Sequence, residues 1–236
     1  MKGLTALARW LFILSLPLLF FSSSIALAVN SPWLYRYGFE KYDVSKTTGL
    51  EEAALESVAS GLISYFNSGE EYISLKVEKE GKPFTLFNRR EVLHLKDVKG
   101  LIWLDYWLLI GTLAYALAYL GVHFSLRRPG RLRNLAFSQV WGSGITLALV
   151  LALGLGSFFN FERLFLEFHL LSFTNELWML NPKKDYLIML FPQGFFFDAA
   201  IFCLLLAGML ALISAGVALF LLTRSRSASK MKEEGI

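Results

Sequence analysis

Two of the three histidines in this chain, His94 and His169, sit in surroundings suited to moving a proton. Glu91, His94 and Asp97 follow one another at steps of three, which puts them on one face of a helix. Arg90 lies four residues before His94, while Val92, Leu93 and Leu95 point elsewhere. A neighbouring carboxylate favours the protonated imidazole and can orient the ring. His169 lies in a greasy run, FERLFLEFHLLSF, where Phe161, Leu164, Phe165 and Phe168 form an apolar stripe. Polar groups in such settings are costly and often functional. The third histidine, His123, stands beside a basic loop and looks ordinary.

The elements that must position the two rings are read from composition. The chain is 55% hydrophobic and only 18% charged, below the usual quarter for soluble domains. Four stretches reach the ~20 apolar residues that cross a bilayer, within Trp10 to Val29, Leu101 to Phe124, Leu135 to Phe158 and Phe195 to Leu222. The expectation is a mainly α integral membrane protein, with four transmembrane helices and a small α+β extracytoplasmic cap. Its segments are an N-terminus with helix one (1–29), the cap (30–100), helix two (101–124), a basic loop (125–134), helix three (135–158), a second outer segment (159–194), helix four (195–223) and a tail (224–236). Ser22 to Ala28 resembles a signal-peptidase site, but the apolar run before it exceeds a signal h-region of 7–15 residues, so an uncleaved first helix is expected.

Charge orients these spans. The first ten residues, the 125–134 loop and the tail hold ten Lys or Arg against two Glu. Residues 30–100 hold ten basic and eleven acidic groups, and 159–198 three and five. The positive-inside rule puts both termini and the 125–134 loop in the cytoplasm, and both histidine-bearing segments outside. Topology thus accounts for the basic excess without nucleic acid. The partners in view are membrane lipids.

Local patterns fill in the cap. Residues 30–48 are rich in Trp and Tyr and suit the headgroup level. Gly49 to Asn67 reads as a helix with Leu55, Val58, Leu62, Tyr65 and Phe66 on its buried stripe. Glu71 to Val77 alternates as a strand, Glu80-Gly81-Lys82 turns, and Phe84 to Phe87 returns. Asn88 and Glu91 make a capping box, and Asn160 caps the helix carrying His169. Asn175 and Trp178 follow that helix. Asp198, at the start of span four, needs a partner, and Lys183 or Lys184 is expected to supply it. Cys203 is alone in an apolar run and is read as structural. Gly142-Ser143-Gly144 is a packing notch, not a nucleophile elbow, which needs G-x-S-x-G after a strand.

The runs R-E-x-x-H-x-x-D-V-K (Arg90 to Lys99) and F-x-x-F-H-x-x-x-F-x-N-x-x-W (Phe165 to Trp178) resemble the four-span family of bacterial lipoprotein intramolecular transacylases. The resemblance implies an acyltransferase that moves the sn-2 acyl chain of a diacylglyceryl lipoprotein to the α-amino group of its first cysteine, giving a lyso-form lipoprotein. It assigns His94 and His169 to catalysis, with Asp97 as the acid of the first run. Glu91 and Asn175 are expected to support them. No cofactor is implied, and a metal site on the two histidines lacks a spacing such as H-E-x-x-H. The competing readings are an outward-facing lipid hydrolase and a non-enzymatic membrane partner or transporter subunit. The last is weakened because span three carries Ser143 and Thr146 but no charge. The two rings should meet at one outer-leaflet cleft, with Asp97 behind His94.

Overall fold

The computed structural model of the chain describes residues 2–79, 81–125 and 131–233. Glu80 of the expected turn, the heart of the basic loop at 126–130 and the last three residues lie outside the described residues. The elements run α1 (Lys2–Val29), α2 (Pro32–Lys41), α3 (Val44–Thr48), α4 (Glu52–Phe66), β1 (Lys76–Lys79), β2 (Lys82–Thr85), α5 (Arg89–Ser125), α6 (Arg131–Ser172), α7 (Tyr186–Leu190) and α8 (Gln193–Glu233). Four helices are long and apolar enough to cross a membrane: Thr5–Val29, Arg89–Ser125, Leu132–Ser172 and Gln193–Thr223. A helix satisfies every backbone group internally, as hydrocarbon demands. The chain is a mainly helical membrane-integral protein with a two-stranded sheet. It divides into two compact units, and each long helix contributes a stretch to both.

One unit comprises Met1–Ser24, Tyr106–Leu155 and Cys203–Ile236. Phe12, Leu16, Phe20, Ala116, Leu135, Ala207 and Ala211 form its core. The notch at Gly142 brings α6 against α1. A Cβ there would lie 2.5 Å from Leu16 Cδ1 and 2.9 Å from the Ile13 carbonyl oxygen. Polar side chains tie the helices together: Arg9 Nε donates to Ser138 Oγ at 3.0 Å, Tyr115 hydroxyl to the Ala8 carbonyl at 2.8 Å, and Gln139 Nε2 to Ser214 Oγ. Such bonds hold where lipid offers no hydrophobic drive. Cys203 Sγ sits 3.7 Å from the Ser24 carbonyl, and His123 Nδ1 lies 2.9 Å from the Tyr119 carbonyl one turn back.

The other unit comprises Ile25–Asp105 and Gly156–Phe202. Here α4 buries the expected stripe of Leu55, Val58, Leu62, Tyr65 and Phe66. Residues 30–48 fold into α2 and α3, with Pro32 at the helix start, where its missing N–H costs nothing. Gly49, at φ +69°, ends α3 in the left-handed conformation. The strands differ in extent from the expected runs: Lys76 pairs with Thr85 and Lys79 with Lys82, around a loop closed by Gly81 at φ +71°. Residues 71–75 of the expected strand lie before β1, and side chains take the carbonyls at 70 and 71. Lys99 Nζ donates to Glu70 O at 2.7 Å and the Tyr65 hydroxyl to Glu71 O at 3.0 Å.

Asp198 corrects a second expectation. Its partners are Lys41, at 2.9 and 2.7 Å from the two carboxylate oxygens, and the Tyr42 hydroxyl at 2.8 Å, not Lys183 or Lys184. Tyr42 reaches Asp198 across Gly194, where a Cβ would lie only 2.6 Å from the ring. The hydrogen-bonded carboxylate holds the Lys41 ammonium well above the ordinary lysine range.

The two notch glycines should respond differently to alanine. Gly142→Ala drives a methyl onto the α1 backbone and should lower the thermal unfolding temperature in detergent. Gly144 faces open space, so Gly144→Ala should leave it unchanged or raise it, up to the roughly 1 kcal/mol of helix propensity gained.

Candidate active site

The site begins at the N-terminus of α5. Asn88 Oδ1 accepts from the amides of Arg90 at 2.9 Å and Glu91 at 3.2 Å. Glu91 Oε2 accepts from the Asn88 amide at 2.8 Å, which completes the capping box. Glu91 is only 1% exposed, and its other oxygen accepts from the Leu187 amide of α7 at 2.6 Å. Asn88 Nδ2 meanwhile donates to Asp185 Oδ1 at 2.9 Å, and Asp185 Oδ2 accepts from the Asn181 amide at 2.6 Å. Two buried carboxylates therefore fasten the 181–187 segment to the start of α5. Asp185 was missed by the sequence reading. The available signal was its place between an Asn-Pro break and an apolar run, an N-cap position, although its carboxylate caps no helix amide here.

His169 is positioned by a break in α6. Asn160 has φ −158° and ψ 74°, outside helical values, and its Oδ1 accepts from the Arg163 amide at 3.0 Å. The helix restarts there with a side-chain cap. His169 follows on the restarted stretch and is 8% exposed. Its Nδ1 lies 2.7 Å from the Phe165 carbonyl oxygen. A carbonyl only accepts, so Nδ1 carries the proton and Nε2 is left with a lone pair.

The fold brings His94 and His169 together, with ring centroids 6.4 Å apart and planes inclined by 28°. The shell around them is aromatic. Phe165 meets the His169 ring edge-on at 4.4 Å, Phe168 at 5.4 Å, and Trp178 covers it at 4.8 Å. Phe173 touches both rings, at 5.1 Å from His94 and 5.6 Å from His169. This shell accommodates a neutral imidazole, since a buried charge without a paired partner is costly. His94 is 7% exposed, and its Nδ1 is buried with no hydrogen-bond partner.

Neither carboxylate is hydrogen-bonded to His94, although the Asp97 charge favours its protonated form. Asp97 Oδ2 accepts instead from Asn175 Nδ2 at 2.9 Å, and Glu91 is spent on backbone amides. Asn175 Oδ1 accepts from the Leu177 amide at 3.0 Å, which sets the turn after His169. Arg90 closes the same turn: its guanidinium donates to the carbonyls of Glu176 and Leu177. Among the described residues, no group of three His, Cys, Asp or Glu is placed to hold a metal ion.

The lipoprotein intramolecular transacylase (Lit) family matches residues 10–196. A protein of Aquifex aeolicus (strain VF5), itself uncharacterised, is 27% identical over 172 residues, 73% of this chain and 69% of that protein. The crystal structure of the membrane-integral lipoprotein intramolecular transacylase Lit from Bacillus cereus superposes with a TM-score of 0.80 at 20% identity, covering 96% of this chain and all of the other. A variant of that protein with one histidine replaced by alanine superposes with a TM-score of 0.75 over 96% of this chain and 97% of the other. At such identity the structures speak for the fold alone. Four apolar helices and the family match together define a membrane-integral acyltransferase. The chain belongs to the lipoprotein intramolecular transacylase family.

Glu91→Gln places an amide NH₂ against a backbone N–H donor in a buried site. It should cost about 1–3 kcal/mol, the range for a buried polar group left unsatisfied. Hydrogen exchange should quicken at the Leu187 amide and across 181–187, with a lower unfolding temperature.

Proposed function

We propose that this protein moves the sn-2 acyl chain of a diacylglyceryl lipoprotein onto the α-amino group of that lipoprotein's N-terminal cysteine, on the outer face of the cytoplasmic membrane, with His94 and His169 as the catalytic pair. One observation carries the reading: two imidazoles face each other in an aromatic shell, and the Nδ1 of His169 is committed to a backbone carbonyl.

The chemistry follows from the tautomers. Nε2 of His169 is a bare acceptor, so His169 is the base. In His94 the buried, unpartnered nitrogen is Nδ1. An orphaned acceptor is tolerated better than an orphaned N–H, so the proton belongs on Nε2 and His94 is a donor. The neutral α-amine attacks the ester carbonyl carbon and gives its proton to His169 Nε2. His94 donates a hydrogen bond to the oxyanion that forms. The ester C–O bond then breaks, the glycerol oxygen takes the proton from His169, and an amide remains. Ester and amine belong to one molecule, so holding the two ends together supplies much of the rate. Asp97, Asn175 and Glu91 act at one remove, by fixing the turn and the segment that enclose the rings.

The excess of Lys and Arg near the termini and in the 125–134 loop supports an orientation with both termini cytoplasmic. Residues 30–100 and 159–194 then face outward, where a lipid-anchored substrate presents its ester.

Mass spectrometry of a diacylglyceryl lipopeptide incubated with the purified protein tests the assignment. His169→Ala should lower N-acyl product by about 10²–10⁴-fold, the span of general acid–base contributions, and His94→Ala should also lower it. Undiminished transfer by a folded His169→Ala variant would sink the base assignment. In whole cells, on a Cys203→Ser background, an impermeant thiol reagent should label a cysteine replacing Ser74 but not one replacing Ser227. The reverse pattern inverts the topology.

A further inference from the structure

Neutral His169 Nε2 can accept a proton from an attacking water as well as from an attacking amine. Two outcomes therefore begin from one ester. With the amine, the ester C–O bond breaks, a C–N bond forms, and the amine proton ends on the glycerol oxygen. With water, the same bond breaks, a C–O bond forms, a water proton ends on the glycerol oxygen, and the acyl chain leaves as free fatty acid. The base does not discriminate between them; the exclusion of water does.

The shell around His169 has one member of different origin. Phe165, Phe168 and Phe173 belong to the helix of His169 or to the residue just beyond it, and helical geometry fixes them. Trp178 arrives on an irregular turn, half-buried, with its indole 4.8 Å from the His169 ring and inclined by 38°. That turn has little structure of its own, with backbone bonds from Met179 N to Glu176 O at 3.2 Å and from Leu180 N to Trp178 O at 2.9 Å. It is gripped from outside. Arg90, His94 and Asp97 share one face of α5, at steps of four and three. Arg90 takes the two carbonyls immediately before Trp178, and Asp97 takes Asn175. The face that presents His94 thus also clamps, on either side of it, the turn that lays Trp178 over His169.

We propose that Trp178 is the specificity-determining wall that keeps water from the acyl group, and that Arg90 is a positioning residue acting through it. The proposal rests on the transfer reaction set out above. Arginine suits the role because its planar fork reaches two acceptors at once, whereas a lysine offers a single point charge.

The test is a product ratio. Full-length protein in lipid nanodiscs is given a synthetic diacylglyceryl lipopeptide with an isotopically labelled sn-2 chain, in water enriched in oxygen-18. N-acyl lyso-lipopeptide and free fatty acid are then counted by mass spectrometry. Hydrolysis by the enzyme puts one heavy oxygen into the acid; transfer puts none into the amide. The wild type should give N-acyl product almost alone. Trp178→Ala should raise the ratio of labelled acid to N-acyl product at least tenfold, Trp178→Leu by less, and Trp178→Phe should stay near the wild type. Arg90→Ala should raise the ratio, and Arg90→Lys should not restore it. A ratio that stays at the wild-type value while both products fall in parallel overturns the proposal, because a structural role alone would do that. A ratio unchanged in an active Trp178→Leu variant overturns it equally. A wild type that releases acid and makes no N-acyl product instead overturns the transfer reading beneath it.

Discussion

A carboxylate taken out of water must find donors, and Glu91 finds them in two backbone amides, one on each of two chain segments far apart in sequence. That requirement governs the site. With the Leu187 amide bound at 2.6 Å and the Asn88 amide at 2.8 Å, the first turn of α5 cannot move without α7. Asp185 repeats the device through Asn88 and Asn181. Breaking a buried charged network by removing one partner is far costlier than the network's net worth. The effect is to fix the direction in which α5 presents Arg90, His94 and Asp97.

The two kinds of surroundings in this unit divide the labour. Carboxylates and amides hold the periphery, where each has defined partners. The centre, around the two imidazoles, is aromatic. Rings present few donors or acceptors, so they leave Nε2 of His169 unclaimed by the shell. A polar centre would have engaged that nitrogen before any substrate arrived.

What was legible in the sequence was local. The capping box of Asn88 and Glu91, the cap at Asn160 and the stripe of α4 each depend on residues within a turn or two. The pairing of His94 with His169 came from charge counting over whole loops and from the resemblance of the two motif runs. What could not be read was tertiary. Asp198 takes Lys41, more than 150 residues away, because Gly194 lets Tyr42 approach, and no local pattern announces that. Asp97 is hydrogen-bonded to Asn175, a contact across 78 residues that no local pattern announces either. The first strand of the hairpin starts at Lys76 rather than Glu71, and alternation alone does not mark where a strand begins.

The hydrogen bond from His169 Nδ1 to the Phe165 carbonyl makes the ring one-ended. Turning it over would forfeit that bond, so a proton arriving at Nε2 has no second nitrogen by which to pass onward. In the transfer proposed above the imidazole is a lender, not a relay: what it takes from one end of the substrate it returns to the other. Such a proton cycle is closed on the substrate itself and needs no wire of waters to the bulk. A site with that bookkeeping can be sealed by aromatic rings without being stranded in the wrong protonation state after each turnover.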